Sequence, residues 1–181
     1  MCRYRTAFKV LIRFLVILNQ RTSAILMEIS SIDQEITDFD WYAVDLSGYL
    51  VQFSSGGGML PDSVAASSEV LAQLTHYFLT LSTATTSAHL NPGLPLFVPH
   101  VRNEYAATLY AYSSVSYAKS GLFAFNKTDL AHRDNCYHVV AYPAKPLSLA
   151  ELPADIGTLV SHTLLPWTIS GLSTLDANVI E

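Results

Sequence analysis

A stretch of alternating side chains near residue 40 constrains the fold more than any other feature of this sequence. It reads DWYAVDLSGYLVQF from Asp40 to Phe53, with aromatic and β-branched residues at alternate positions on each side of its centre. That period places successive side chains on opposite faces of an extended chain. The centre is Leu46-Ser47-Gly48, where the glycine can adopt positive φ in a short turn. The pattern therefore predicts a β-hairpin.

Apolar residues with helical spacing predict two helices after the hairpin. The first begins after Ser67, a favourable N-cap residue, and continues to Leu81. Ser148 and Glu151 have capping-box spacing ahead of the second helix, which Pro166 ends. Its apolar face would consist of Ile156, Leu159, Val160 and Leu164. Residues 102–119 also favour a helix, although their tyrosines and serines would suit a strand.

Two further strands complete the predicted elements. They lie near residues 122–125 and 136–142, and the proline-containing tract Thr83–Pro99 is expected to be a surface connection. The resulting order, β-β-α-α-β-β-α, lacks regular βαβ alternation. It favours a single α+β domain in which a largely antiparallel sheet is packed by two or three helices.

Charge divides the 181-residue chain into two unlike parts. Residues 1–26 hold five of the ten basic residues and none of the fifteen acids, so residues 27–181 have a formal net charge of 5 − 15 = −10. We interpret residues 27–181 as one acidic domain, long enough to bury a core without disulfides or a metal. Four interpretations of residues 1–26 stay open: a non-native extension with the true start at Met27, a secretory signal interrupted by Arg13, a membrane anchor, and a packed helix.

The triple glycine that follows the hairpin is the first candidate site. Gly-rich backbone can form the rim of a ligand site, but neither GxGxxG nor GxxxxGK[ST] is present, so a phosphate cradle is not predicted. A flexible connection is the simpler interpretation of the loop, and a turn-stabilising role is the simpler one for Asp45. The candidate ligand- or partner-binding residues are Asp40, Trp41, Asp45, Ser54, Ser55, Gly56, Gly57 and Gly58.

No catalytic set, metal site or cofactor is predicted. The six histidines are scattered, and Cys136 with His138 supplies only two of the four donors of a tetrahedral site. Cys136 is expected to be a buried thiol. The tripeptide His132-Arg133-Asp134 lacks the other protein-kinase motifs, and no GxSxG sequence is present.

The acidic character of residues 27–181 determines which partners are compatible with the chain. Negative charge repels phosphates and attracts cations, so we predict a basic protein partner and no nucleic acid. Membrane association would depend on residues 1–26. The low cysteine content favours a cytoplasmic location.

Three segments carry a resemblance to known proteins: DFDWYAVDLSGYLVQFSSGGG, YAKSGLFAFN and YHVVAYPAKPLSLAELPADI. From about Asp38 to Leu165 the chain resembles a family of small uncharacterised bacterial proteins, some of which are similar to immunity proteins encoded beside polymorphic toxins. That resemblance implies a non-enzymatic protein that neutralises a basic partner, and it brings no set of functional residues.

Three functional hypotheses follow from these observations. The first is a non-enzymatic binding protein of the immunity type. The second is a small ligand-binding domain or enzyme that uses the loop Ser54–Gly58, which a pocket with converging polar groups beside that loop would favour. The third is a membrane-associated protein held by residues 1–26.

Overall fold

The structure, a computed structural model, describes residues 27–81, 86–130 and 135–180. The interpretations of residues 1–26 and of His132-Arg133-Asp134 lie outside these residues. The strands are β1 (Asp40–Val44), β2 (Leu50–Ser54), β3 (Ala88–Leu90), β4 (Phe123–Lys127), β5 (Cys136–Pro143) and β6 (Thr174–Asp176). The helices are α1 (Ser31–Ile36), α2 (Asp62–Ala65), α3 (Ser68–Thr80), α4 (Leu94–Phe97), α5 (Glu104–Tyr110), α6 (Tyr112–Lys119) and α7 (Ala154–Val160), with 3-10 turns at Leu149–Glu151 and Ala177–Val179.

The strands form one mixed sheet with the order β1-β2-β4-β5-β3, and β6 pairs with β5. The predicted hairpin is β1–β2, with Trp41 opposite Phe53 and Gly48 at a φ of 81° in the turn. The α+β class is confirmed, but the sheet is not purely antiparallel, because β2 and β4 run parallel. The chain between these strands contains α2 to α6, and such a crossover returns the chain in the same direction.

The predicted helices are present, with differences in number and extent. The Ser67 hydroxyl accepts a hydrogen bond from the Val70 amide at 3.2 Å and caps α3. Residues 102–119 form two helices, α5 and α6, which meet at Ala111. Four helices of seven residues or more occur in the described parts of the chain, so the expected two or three is an underestimate.

Three local predictions need correction. The tract Thr83–Pro99 is more than a surface connection, because it contains β3, which pairs with β5, and α4. The capping box of Ser148 and Glu151 is present, but it closes a 3-10 turn. Helix α7 ends at Val160, and Leu164 is exposed whereas Leu165 is buried. The reason is that the Leu165 amide donates a hydrogen bond to the Val44 carbonyl of β1, and the Leu165 side chain then turns inward in place of Leu164.

The two faces of the sheet pack differently. On one face, the Trp41 ring stacks on Phe53 at a centroid distance of 3.9 Å, with Tyr137 at its edge. On the other face, Tyr42 contacts Phe78 of α3 and Tyr117 of α6, so these helices cover that face. Each fully buried aromatic ring of this kind contributes about 2 kcal/mol of hydrophobic stabilisation.

Candidate functional site

Four polar residues form one row across the sheet. The strand registers pair Asp40 with Ser54, Ser54 with Asn126, and Asn126 with His138. Since directly paired residues of neighbouring strands share a face, all four side chains lie on the face that the helices cover. Ser54 is the last residue of β2, and Asn126 is next to the end of β4. The row therefore crosses the carboxyl ends of the parallel pair, where α/β sheets commonly bind ligands.

A cavity of about 280 Å³ lies beside the glycine loop, and two residues of this row, Ser54 and Asn126, line it. We call it the smaller cavity. Its apolar and aromatic wall comes from Phe97, Val98, Pro99 and Leu130. Polar side chains converge on it from three strand ends and from the segments around them: Asp38, Ser54, His100, Tyr110, Asn126, Lys127 and Thr128.

The Asp38 carboxylate is fixed against the glycine loop. Its Oδ1 accepts hydrogen bonds from the Gly56 amide at 2.7 Å and the Ser54 hydroxyl at 3.0 Å. The Asp38 side chain is nevertheless exposed, and Oδ2 has only the same serine hydroxyl, at 3.2 Å, among the hydrogen bonds described. A carboxylate can accept about four hydrogen bonds. Oδ2 therefore has capacity to bind a donor that enters the cavity.

The Tyr110 hydroxyl is held by the polar row. It lies 3.1 Å from His138 Nε2 and within hydrogen-bonding reach of Asn126. The other ring nitrogen of His138 lies 3.3 Å from the Thr128 hydroxyl, and Phe97 stacks on the imidazole. Burial lowers the pKa of His138 to about 4, so the ring is neutral at pH 7. This histidine positions the cavity wall and does not itself reach the solvent.

The three glycines of the loop are close-packed. Their φ angles are 58°, 78° and 118°, a region that L side chains rarely adopt. A Cβ on Gly57 would lie 2.9 Å from the carbonyl oxygen of Glu35, and one on Gly58 would overlap the ammonium of Lys127. That ammonium donates to the Gly57 carbonyl at 3.0 Å. These contacts argue against a flexible connection and give the smaller cavity a fixed rim.

A larger cavity, of about 460 Å³, lies on the other side of Asp38, and Asp38 lines both. Its polar wall contains Asp40, which accepts from the Tyr117 hydroxyl at 2.8 Å and from the Gln52 amide at 2.7 Å. Burial raises the pKa of Asp40, and the nearby Asp38 charge raises it further, while the two hydrogen bonds lower it. The remaining amide oxygen of Gln52 is buried without a hydrogen-bond partner among the described residues.

A series of hydrogen-bonded hydroxyl groups leads from Asp40 to α3. The Tyr42 hydroxyl lies 3.1 Å from that of Tyr117, and Thr75 of α3 is within hydrogen-bonding reach of Tyr42. Burial raises the pKa of Tyr42 to about 12, and it raises the pKa of Tyr117 as well. Both phenols are therefore protonated at neutral pH and serve as hydrogen-bond donors.

The sequence-predicted site residues divide into two groups. Ser54 and Gly56 line the smaller cavity, and Asp40 lines the larger one. The structure does not bring the others to either cavity. Trp41 is fully buried in the aromatic stack, and Asp45 is buried with Oδ1 accepting from the amides of its own turn. The remaining residues pack within the loop: Ser55, Gly57 and Gly58.

Several lining residues were not among the sequence candidates. Asp38 lies two residues before the candidate Asp40, and Tyr110 and Thr128 carried no motif. Asn126 offered a signal, since it interrupts the apolar strand segment that begins at Phe123. A polar residue inside such a strand is expected to have a specific partner. Cys136 is half-buried rather than buried.

A third cavity, of about 540 Å³, differs in its chemistry. It is lined by prolines, Phe123, Tyr142 and the segment Ile169–Ser173, and the described residues around it include no charged side chain. Across residues 27–81, 86–130 and 135–180, no three His, Cys, Asp or Glu side chains are placed to hold a metal ion. The helices in these ranges are all too short or too polar to cross a bilayer.

Comparisons with known proteins do not identify a relative of this chain, so a functional conclusion depends on the residues of the cavities. No family model matches the chain, and neither a curated protein nor a solved structure matches it. The resemblance to immunity proteins therefore stays a prediction.

Proposed function

We propose that this protein is a binding protein that recognises a positively charged group in the smaller cavity. The observation that carries the proposal is the Asp38 carboxylate, which is fixed by Ser54 and Gly56 and has an oxygen available on the cavity wall. Aromatic rings of Phe97 and Tyr110 share that wall, and the ammonium of Lys127, which also lines the cavity, donates to the Gly57 carbonyl at 3.0 Å. A carboxylate beside aromatic rings is the arrangement that favours an ammonium or a guanidinium.

Charge over the whole domain supports the same ligand class. Residues 27–181 have a formal net charge of −10, which raises the local concentration of cations and repels phosphates and carboxylates. A charge-assisted hydrogen bond to Asp38 would contribute about 1.5–3 kcal/mol.

The size of the cavity limits what can enter. A volume of about 280 Å³ lies at the lower end of ligand pockets, which hold drug-sized molecules from roughly 300 Å³ upward. It suits a single amine or guanidinium group with a few attached carbons. Such a group can belong to a free small molecule or to a lysine or arginine side chain.

A basic protein is the second candidate ligand, and the excess of acidic over basic residues favours it. In that case a lysine or arginine of the partner would occupy the smaller cavity, as expected for an immunity-type protein. The proposal includes a cytoplasmic location and no catalytic reaction.

The test is a titration of the full chain with butylamine and with methylguanidine, followed by amide NMR. We expect millimolar binding with shifts at the lining residues, and at least about tenfold weaker binding for Asp38→Asn. That variant keeps an oxygen to accept from Gly56, so it isolates the charge. Asp155→Asn removes the same charge in the first turn of α7, away from both cavities, and should bind normally. Equal shifts with acetate, or no loss for Asp38→Asn, would contradict the proposal.

Basic proteins form the second arm of the test. A lysine- or arginine-rich protein that competes with butylamine for the same residues indicates a macromolecular source of the cation. Binding of small amines without such competition indicates a free small molecule.

A further inference from the structure

We propose that the larger cavity receives an apolar tail of the same ligand, so that the preferred ligand is an amphiphilic amine. This inference rests on the proposed function, since it places the charged end of the ligand at Asp38. Asp38 lines both cavities, and it is therefore the point from which one ligand can extend into the second.

The lining of the larger cavity matches an apolar chain. Half of its ten lining residues are apolar: Ile29, Phe39, Leu71, Ala72 and Leu79. Leu79 is 61% exposed, so this part of the apolar lining is in contact with solvent. Apolar side chains that face a cavity of about 460 Å³ gain from contact with a hydrocarbon chain, which water cannot provide.

Two carboxylates, those of Asp38 and Asp40, line this cavity, and Ser68, Thr75 and His76 of α3 supply its other polar side chains. Asp38 and Asp40 are two residues apart in the segment that enters β1, and Asp40 is held in place by Tyr117 and Gln52. An amine placed between the cavities would meet negative charge from both carboxylates when Asp40 is ionised. The tail would then run along α3, away from the carboxylates.

Charge complementarity selects this occupant over other apolar molecules. A fatty acid would bring a carboxylate next to Asp38, and like charges at short range repel. A neutral hydrocarbon would bring no further donor to Oδ2 of Asp38, which accepts from the Ser54 hydroxyl alone among the hydrogen bonds described. A cationic head with an apolar tail satisfies both parts of the surface at once.

The experiment compares butylamine, hexylamine and octylamine, each below its aggregation concentration, with the full chain. Each added methylene that enters the cavity should raise the affinity about threefold to fourfold, as complete burial of a methylene does. Octanol should bind at least about tenfold more weakly than octylamine, because it lacks the charge.

Two matched variants locate the tail. Ala72 is exposed on α3 and lines the larger cavity, so Ala72→Phe fills that cavity without replacing a core residue. The neighbouring Gln73 is also exposed but does not line it, and Gln73→Phe is the control. We expect Ala72→Phe to bind butylamine as the unaltered chain does but to lose the gain with chain length, whereas Gln73→Phe should keep the gain.

The outcomes separate the two proposals. If butylamine fails to bind, or binds independently of Asp38, the proposed function is wrong and the inference falls with it. If butylamine binds through Asp38 but the affinity does not rise with chain length, the tail site alone is wrong. The tail site is also wrong if Ala72→Phe keeps the gain, or if octanol binds as tightly as octylamine.

Discussion

The hydroxyl of Tyr117 in α6 donates a 2.8 Å hydrogen bond to the carboxylate of Asp40 at the start of β1, although 77 positions separate them in the chain. The same hydroxyl lies 3.1 Å from that of Tyr42. This pair therefore connects the edge strand of the sheet to the helix layer, and it holds a carboxylate at the wall of the larger cavity. Partly buried polar groups of this kind stabilise a fold only while their partners are present.

Replacing Tyr117 by phenylalanine should destabilise the fold. The change removes the donor to Asp40 and leaves a partly buried carboxylate with one hydrogen bond fewer, so the free energy of unfolding should fall by about 1–3 kcal/mol. Urea denaturation measures this loss. Tyr112→Phe is the control, since Tyr112 is 79% exposed, and it should change stability by less than about 0.5 kcal/mol. Equal effects of the two variants would show that the hydrogen bond to Asp40 is not important for stability.

His138 should make stability fall in mild acid. Burial lowers its pKa from an ordinary 6.5 to about 4 in the folded chain. Below about pH 6.5 the unfolded chain binds a proton at His138 that the folded chain takes up only near pH 4. The contribution of neutral His138 to the free energy of unfolding is therefore complete above pH 6.5 and is lost as the pH falls toward 4. The full loss is about 3 kcal/mol, at 1.36 kcal/mol for each pH unit.

His138→Gln supplies the comparison for this prediction. The carboxamide can bond with Tyr110 but does not titrate, so the difference in unfolding free energy between the two chains should shrink from pH 7 to pH 4. Asp40 acts in the opposite sense, because its pKa is raised, and it is common to both chains. Parallel stability curves for the two chains would contradict the assignment of His138 as a buried neutral residue.

The glycine loop offers a matched pair of substitutions. Gly57 and Gly48 have φ angles of 78° and 81°, so alanine costs about 1–2 kcal/mol of backbone strain at either position. Only at Gly57 would the added Cβ meet backbone, at 2.9 Å from the Glu35 carbonyl oxygen, whereas nothing lies within 4 Å at Gly48. We therefore expect Gly57→Ala to lower the melting temperature clearly more than Gly48→Ala. Equal losses would show that the loop is not packed against Glu35.

Asp45 should prove structural. Its Oδ1 accepts from the Ser47 and Tyr49 amides, and its Oδ2 accepts from the Ile169 amide at 2.8 Å. Asp45→Ala leaves these donors without that acceptor and should lower the free energy of unfolding by about 2–4 kcal/mol. Butylamine affinity, measured by NMR at a temperature where the variant is folded, should stay within about twofold. A loss of affinity in a folded variant would return Asp45 to the candidate site.

The local elements were predictable because their causes are local. Alternation from Asp40 to Phe53 with a glycine between the halves specifies the hairpin, and the Ser67 hydroxyl caps its helix within three residues. The α+β class followed from the order of these elements. Leu164 was misplaced because the inward turn at Leu165 depends on a backbone bond to β1, which is distant in sequence.

The candidate site could be predicted only in part. Ser54 and Gly56 were predicted from the triple-glycine loop, and Asp40 was a candidate in the hairpin, but their neighbours Tyr110 and Asn126 come from α5 and β4. These residues meet because β2 and β4 pair in parallel. A short sequence pattern does not specify which residues of two strands pair when a long connection separates the strands. Trp41 was a candidate as the neighbour of Asp40, but its ring belongs to the buried aromatic stack of the core.

The most direct test is to locate a bound cation by intermolecular nuclear Overhauser effects. With butylamine in excess, we predict contacts between its alkyl protons and the rings of Phe97 and Tyr110, which line the smaller cavity with Asp38. The same contacts should be absent in Asp38→Asn at equal ligand concentration. Contacts confined to Phe123 and Leu172 in the uncharged third cavity, or no contacts at saturating butylamine, would contradict recognition of a cation at Asp38.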